Sequence, residues 1–228
     1  MTGTSIDLRA ASVRALNRVL QGREGVPEAT YEVLNPAGAH AVAVGLQHEI
    51  VVNVRGHVGY YCGGMNQAAT INVYGNAGTG VAENMMSGSV RVSGDASQSA
   101  GATGHGGLLV IEGDASARCG ISMKGIDIVV GGGVGHLSAF MAQAGTLVVC
   151  GDAGAHLGDS LYEADVYVGG KVTSLGSDCE EKPMEATDVE VVETLLGQAR
   201  IDASAKGFRK FGSARALYHF HVDKAGEY

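Results

Sequence analysis

The chain has 228 residues, 45% of them hydrophobic and 18% charged, with a formal net charge of −8; this balance describes a soluble globular protein with one substantial core and excludes a disordered or fibrous chain. Residues 46–179 hold five Lys or Arg against eleven Asp or Glu, so the middle of the chain offers nucleic acid no basic stripe. No apolar run approaches the roughly 18 residues of a membrane span, and the N-terminus lacks a basic-then-apolar secretory signal; the expected address is the cytoplasm, away from membranes.

Residues 5–20 read as a helix. Asp7 or Ser5 can cap it, Leu8, Leu16, Val19 and Leu20 gather near one face, and Gly22 follows as a stop. Arg9, Arg14 and Arg18 occupy much of the remainder, as a solvated face or as a surface for an acidic partner. In residues 23–48 the segments 31–34 and 41–44 have strand character but keep no register with the residues beyond 48. This region is expected to cover the first open rung of the structure built by those later residues.

That structure is announced by a ladder of glycines. Gly56, Gly75, Gly94, Gly113, Gly132, Gly151 and Gly170 recur every 19 residues without insertion or deletion, the mark of a repeat architecture. Four positions before each stand Val52, Ile71, Val90, Leu109, Ile128, Leu147 and Val166, and two before stand Val54, Val73, Val92, Ile111, Val130, Val149 and Val168. Two apolar, mostly β-branched columns separated by one variable residue make a short strand with one buried face. The glycine is expected to end the strand by supplying backbone angles that a Cβ would obstruct. Stacked in parallel, such units form a right-handed parallel β-helix of about seven 19-residue turns with short helical or irregular caps, roughly 30 Å long at a strand spacing of about 4.8 Å. A hexapeptide helix and a calcium-binding nonapeptide roll fit less well, since neither period divides 19. The expected layout is an N-terminal helix and cap over 1–48, the β-helix over 49–179, and a C-terminal helix and tail over 180–228.

Within the coils, small residues recur three past the marker (Gly59, Gly78, Ser97, Ser116, Gly135, Gly154, Thr173) and seven past it (Gly63, Ala82, Gly101, Gly120, Ala139, Gly158, Ser177). Small side chains let coil corners stack closely and let another protein lie flat against that edge. Asn76, Asp95, Asp114 and Asp152 follow their markers directly, which suits turn chemistry with backbone N–H groups better than a metal ladder. His57, His105, His136 and His156 share no column, so stacking assembles no zinc or catalytic cluster from them. The segment 128–135 looks like a strand entering a dinucleotide turn, but His136 stands where the Gly131-x-Gly133-x-x-Gly spacing requires glycine. Cys62, Cys119, Cys150 and Cys179 form no Cys-x-x-Cys pair and read as reduced, packed thiols. No catalytic, cofactor-binding or metal-binding residue is assigned.

After the coils, 178–184 reads as a charged linker. Thr187 and Glu190 form a capping box before Val189, Val192, Leu195, Leu196 and Ala199, predicting a second helix. The end interleaves aromatic with basic residues, Phe208, Arg209, Lys210, Phe211, Arg215, Tyr218 and Phe220, with Leu217, His219 and His221 beside them. Such a segment packs on the acidic solenoid or docks on a partner.

The Gly-x-x-Gly-x-x-x-Gly units on a seven-turn ladder resemble the GXGXG domain, a right-handed β-helix found in the large subunit of glutamate synthase and in one of the subunits of formylmethanofuran dehydrogenase. The resemblance covers about residues 45–179. The helix before the coils and the segment 208–220 resemble the GXGXG subunit of N-methylglutamate synthase (methylamine–glutamate N-methyltransferase). That resemblance implies a hetero-oligomer with a glutamine-amidotransferase-like subunit and an FMN-dependent glutamate-synthase-like subunit, which holds the FMN with or without an iron–sulfur cluster. The reaction implied is L-glutamate plus methylamine giving N-methyl-L-glutamate and ammonia, with this chain as a non-catalytic, docking subunit. The competing readings are a β-helix subunit of another such complex and a stand-alone β-helix enzyme; constant coil length and few basic residues speak against the last.

Overall fold

The computed structural model describes residues 3–215. Eleven strands and two helices follow one another as β1 (Thr4–Asp7), α1 (Val13–Leu20), β2 (Thr30–Leu34), β3 (Val51–Arg55), β4 (Thr70–Val73), β5 (Ser89–Val92), β6 (Leu108–Ile111), β7 (Lys124–Val130), β8 (Ala144–Val149), β9 (Asp165–Val168), β10 (Cys179–Lys182), α2 (Ala186–Ala199) and β11 (Arg209–Ser213). They form one sheet in the order β1 to β9, then β11, then β10. From β3 to β9 every neighbour is parallel and the partners are 19 residues apart, as in Val52↔Ile71, Val90↔Leu109 and Leu147↔Val166, except at the start of β7, where a bulge sets Lys124 against Ala144 before the register resumes at Asp127↔Thr146. The chain is a parallel β-helix, as the period requires.

Both apolar columns point inward, and all fourteen side chains are fully buried. Three further inward columns complete each coil. Two past the marker stand only Ala and Val, from Val58 to Val172, joined coil to coil by single parallel bridges. Six past it stand Cys62, Val81, Ala100, Cys119 and Leu157, and ten past it Met85, Met123, Ala142 and Leu161, all buried. The core is thus a stack of like residues on like, each row filling the same layer of a narrow interior.

The marker glycine serves a different purpose from the one its position after a strand suggests. Only Gly56 has a positive φ, +137°. A Cβ on Gly75 would lie 2.7 Å from the carbonyl carbon of Gly56, and one on Gly151 equally close to Gly132. Glycine is required because the previous coil occupies the space, with its backbone at Gly75 and Gly151 and with the Asn76, Asp95 and Asp114 side-chain oxygens at Gly94, Gly113 and Gly132. The left-handed conformations lie further on, at alternate residues of each corner, as in Arg118, Gly120 and Ser122 or Leu137, Ala139 and Met141. Alternation turns successive N–H groups to opposite sides: Arg118 donates forward to His136 O, Gly120 back to Ala100 O, and Ser122 forward to Phe140 O. Hydrogen bonding to both neighbouring coils offsets the cost of about 1–2 kcal/mol per non-glycine residue held there.

The N-terminal cap departs from the predicted helix over 5–20. Residues 4–7 are a strand paired in parallel with β2, which itself pairs with β3 at an offset of 21 residues. The helix begins only at Val13, capped by Ser12, whose hydroxyl accepts from the N–H of Ala15. Neither Ser5 nor Asp7 caps it, because an open sheet edge competes for residues 4–7 and wins. Segment 41–44 is no strand either; Ala41, Ala43 and Gly45 repeat the left-handed corner of the later coils. α1 lies beneath that corner. Asn17 donates to Ala41 O and accepts from the N–H of Val44, and Gln21 donates to Val44 O. Two amide side chains thereby replace the coil that would otherwise continue the ladder, and Leu16 and Leu20 close the core below them.

At the other end, 178–184 contains an edge strand instead of a linker. β11 pairs antiparallel with β9 and with β10, so the last parallel rung is covered and the new edge carries Glu180, Glu181 and Lys182, which discourage further pairing. α2 starts two residues earlier than Thr187 as cap predicts: Glu185 is the N-cap and Asp188 closes the capping box. Val192, Leu195, Leu196 and Ala199 are buried as expected, whereas Val189 is exposed.

Candidate functional site

Three places bear on function: the outer face of the sheet, the cap that α2 and β11 build on it, and the coil corners. The residue between the two buried columns decides the first. It is Asn53, Asn72 and Arg91 in β3–β5, but Val110, Val129, Val148 and Tyr167 in β6–β9. The second set is buried beneath Val192, Leu195, Leu196, Ala199 and Phe208. α2 therefore covers the outer face of the later coils, and among the described residues no element covers that of the earlier coils. Arg91 stands at the boundary, paired with Glu112 at 2.6 Å and donating to Ala199 O at the C-terminus of α2, where a cation is favoured. The sequence carried this signal in the one column treated as variable.

On the bare half the polar groups serve the coils. Asn72 donates to Asn53 Oδ1 at 3.0 Å and Asn53 to Glu32 Oε1 at 2.7 Å, while Arg55 pairs with Glu32 at 2.7 Å and lies over the ring of Tyr74 at 4.0 Å. The column after the marker behaves likewise. Asn76 accepts from the N–H of Asp95, Asp95 from that of Asp114, Asp114 from Gly133 and Asp152 from Lys171, at 2.7–3.1 Å. This is backbone chemistry as expected, with the N–H belonging to the next coil. His57 occupies the same position in the first unit, accepting from the N–H of Asn76. Beside exposed polar residues such as Arg55 and Thr70, the first two coils also leave four large apolar side chains about half exposed: Tyr74 just after β4, and Tyr60, Met65 and Met86 in the corners, at 45%, 54%, 44% and 46%.

The C-terminal cap closes on one buried carboxylate. Asp188 accepts from Tyr167 Oη at 2.7 Å, Lys210 Nζ at 2.8 Å and the N–H of Glu185 at 2.9 Å, and Lys210 also reaches Asp165 at 3.1 Å. Burial opposes the charge on Asp188, but the hydrogen bond from Lys210 and those from Glu185 and Tyr167 outweigh it and hold the carboxyl below its usual range. Burial likewise opposes the charge on Lys210, and its two carboxylate partners raise it. A depressed carboxyl contributes stability above its unfolded value near 3.9 and loses it as pH falls through the folded value. A raised lysine contributes below about 10.4 and loses it as pH rises further. The cap is therefore held across neutral pH and released by acid. Asp188→Asn is expected to cost the cap about 2 kcal/mol at pH 7, and circular dichroism should show helical signal lost below about pH 4 in the native chain, with that acid step weakened in the variant.

Of the aromatic and basic end, Phe208 and Phe211 are buried, and Arg209 and Arg215 pair with Glu181 and Glu163, so this part packs on its own chain. Leu217, Tyr218, His219, Phe220 and His221 lie outside the described residues. Cys62 and Cys119 are core residues whose thiols burial pushes up to about 12, and Cys179 reaches a similar value through burial and neighbouring carboxylates. At pH 8 iodoacetamide is expected to leave Cys62 and Cys119 unmodified until the chain unfolds, as mass spectrometry would show. Among the described residues no three His, Cys, Asp or Glu side chains converge as a metal set requires, and no helix is long and apolar enough to cross a membrane. Gly131 and Gly133 stack on neighbouring coils' backbones, as ladder members do.

A uniform stack of coils, its polar side chains bonded mainly to neighbouring coils and both ends closed, defines a β-solenoid of the parallel β-helix class. The chain belongs to the family of Protein GlxC of Rhizobium meliloti (strain 1021), with which it shares 57% identity over 225 residues, 98% of this chain and 99% of that one. No family model and no solved structure matches the chain.

Proposed function

We propose that this chain is the non-catalytic β-helix subunit of a glutamate-synthase-like complex of the N-methylglutamate synthase type. It holds a glutamine-amidotransferase-like subunit and an FMN-dependent subunit in fixed relation while they convert L-glutamate and methylamine into N-methyl-L-glutamate and ammonia. The observation that carries this reading is the bare half of the solenoid. Seven rungs without an insertion make a stiff surface with no loop to form a lid, and on the first two coils Tyr60, Met65, Tyr74 and Met86 stand exposed. Aromatic and methionine side chains are enriched where protein partners meet. The resemblance of the glycine units and flanking segments to GXGXG subunits supplies the identity of the partners.

The test is a reconstitution. Partner subunits purified from cells lacking this chain should form N-methylglutamate only when the purified chain is added back, and the chain alone should turn over nothing. Turnover by the isolated chain, or a complex indifferent to its presence, would overturn the proposal. A complex that needs the chain but accepts only ammonia would keep the docking role and replace the amine.

A further inference from the structure

The N-terminal cap carries a charge arrangement that neither the ladder nor the core explains. Arg14 and Arg18 stand one turn apart on α1, about 6 Å along its axis, and the N–H of Arg23 donates to Arg18 O at 2.9 Å, folding Arg23 back over the last turn. The three line one open recess of about 430 Å³ together with His40. Arg18 is paired with Glu24 at 2.9 Å. The side chains of Arg14 and Arg23 have no hydrogen-bond or ion-pair partner among the described residues. Three guanidinium groups thus face a single carboxylate, in a chain of net charge −8.

The other polar groups of the recess sharpen its preference. Asn17 has both its oxygen and its amide nitrogen engaged on the corner backbone, and Gln21 has its amide nitrogen so engaged. His40 accepts the N–H of Tyr60 at Nδ1, 3.1 Å away, which leaves Nε2 as its N–H donor. The recess therefore presents mainly donors, most of them cationic. Its guanidiniums sit on an open rim; Arg18 is 52% exposed. They are spread over more than one helical turn, farther than one small anion spans but matched by successive carboxylates along a chain.

We infer that this arginine-lined recess is the docking site for an acidic segment, a run of Asp and Glu, on a partner protein. The inference rests on the docking role proposed above and names the chemistry of one contact. Glu24 is a placeholder: the arriving carboxylate competes with it for Arg18.

The test uses the assembled complex, purified through a tag on this chain, with partner chains quantified by mass spectrometry. Replacing Arg14, Arg18 and Arg23 together by Gln should reduce the recovered partner about tenfold or more with the melting temperature of the chain little changed, since all three residues are exposed and the one ion pair lost, Arg18–Glu24, is a surface pair. Glu24→Gln should strengthen recovery by a few-fold, which a merely structural role for the pair would not do. Both effects should shrink between about 50 mM and about 500 mM salt. Equal recovery with the triple variant at low salt overturns the recess while leaving the docking role intact. Recovery of no partner by the native chain overturns both. Inorganic phosphate that raises the melting temperature of the native chain but not of the triple variant, with partner recovery equal for the two, would reassign the recess to a small anion.

Discussion

Gly151→Ala is expected to destabilise the chain by about 3 kcal/mol or more, although it adds one methyl group. The new Cβ would stand 2.7 Å from the carbonyl carbon of Gly132, 2.8 Å from its oxygen and 2.8 Å from the nitrogen of Gly133. All three are backbone atoms fixed by the inter-coil hydrogen bond from the N–H of Gly151 to Gly132 O, so no side chain can swing aside. The coils must separate locally, and inward neighbours such as Val149 and Ala153 lose contact as they do. The control is Gly197→Ala in α2, where a Cβ meets nothing within 4 Å; removing a helix-interior glycine should stabilise by about 0.5–1 kcal/mol. Urea melts of the two variants should move in opposite directions. Equal small shifts would contradict the stacking role given to the marker column.

Val129→Asp is the second large effect. Val129 is fully buried in the outer row beneath α2, and an unpaired carboxylate there should cost about 3 kcal/mol or more. The loss should be local. In β3–β5 the same column holds Asn53, Asn72 and Arg91 on an uncovered face, and those coils stack with the same register. The solenoid does not require its outer row to be apolar; only α2 does. Helical signal and protease resistance of α2 should fall while sheet signal persists. Collapse of both together would mean that α2 is integral to the solenoid.

The contrast between those rows explains what the sequence disclosed. A period of 19 with two apolar columns states the strand, its parallel partner and its register, because each coil meets only its neighbours and any other pairing would put polar residues inside. The inner columns that include Val58, Cys62 and Met85 were harder to see, since the column of Cys62 also holds Ser138 and that of Met85 also holds Asn66 and Glu180. The left-handed corner was not. Arg118, Leu137 and Met141 adopt it because hydrogen bonds to two coils enforce it, and nothing in those side chains favours it. The caps were least legible for the same reason. Residues 4–7 look like the start of a helix and become a strand only because β2 offers an open edge, while Asn17 and Gln21 act on backbone groups more than twenty residues away. For the surface, Arg9, Arg14 and Arg18 suggested an acidic partner from sequence, though Arg9 falls before α1 and outside the recess. Their company, Arg23 and His40, depends on how the chain folds back after α1.

The measurement that bears most directly on the central claim is purification of the native chain from its own cells, followed by an absorbance scan and mass spectrometry of what travels with it. The docking role predicts a yellow, multi-chain assembly in which an FMN-containing subunit and an amidotransferase-like subunit accompany this chain in fixed proportion. A colourless chain that elutes alone would contradict it.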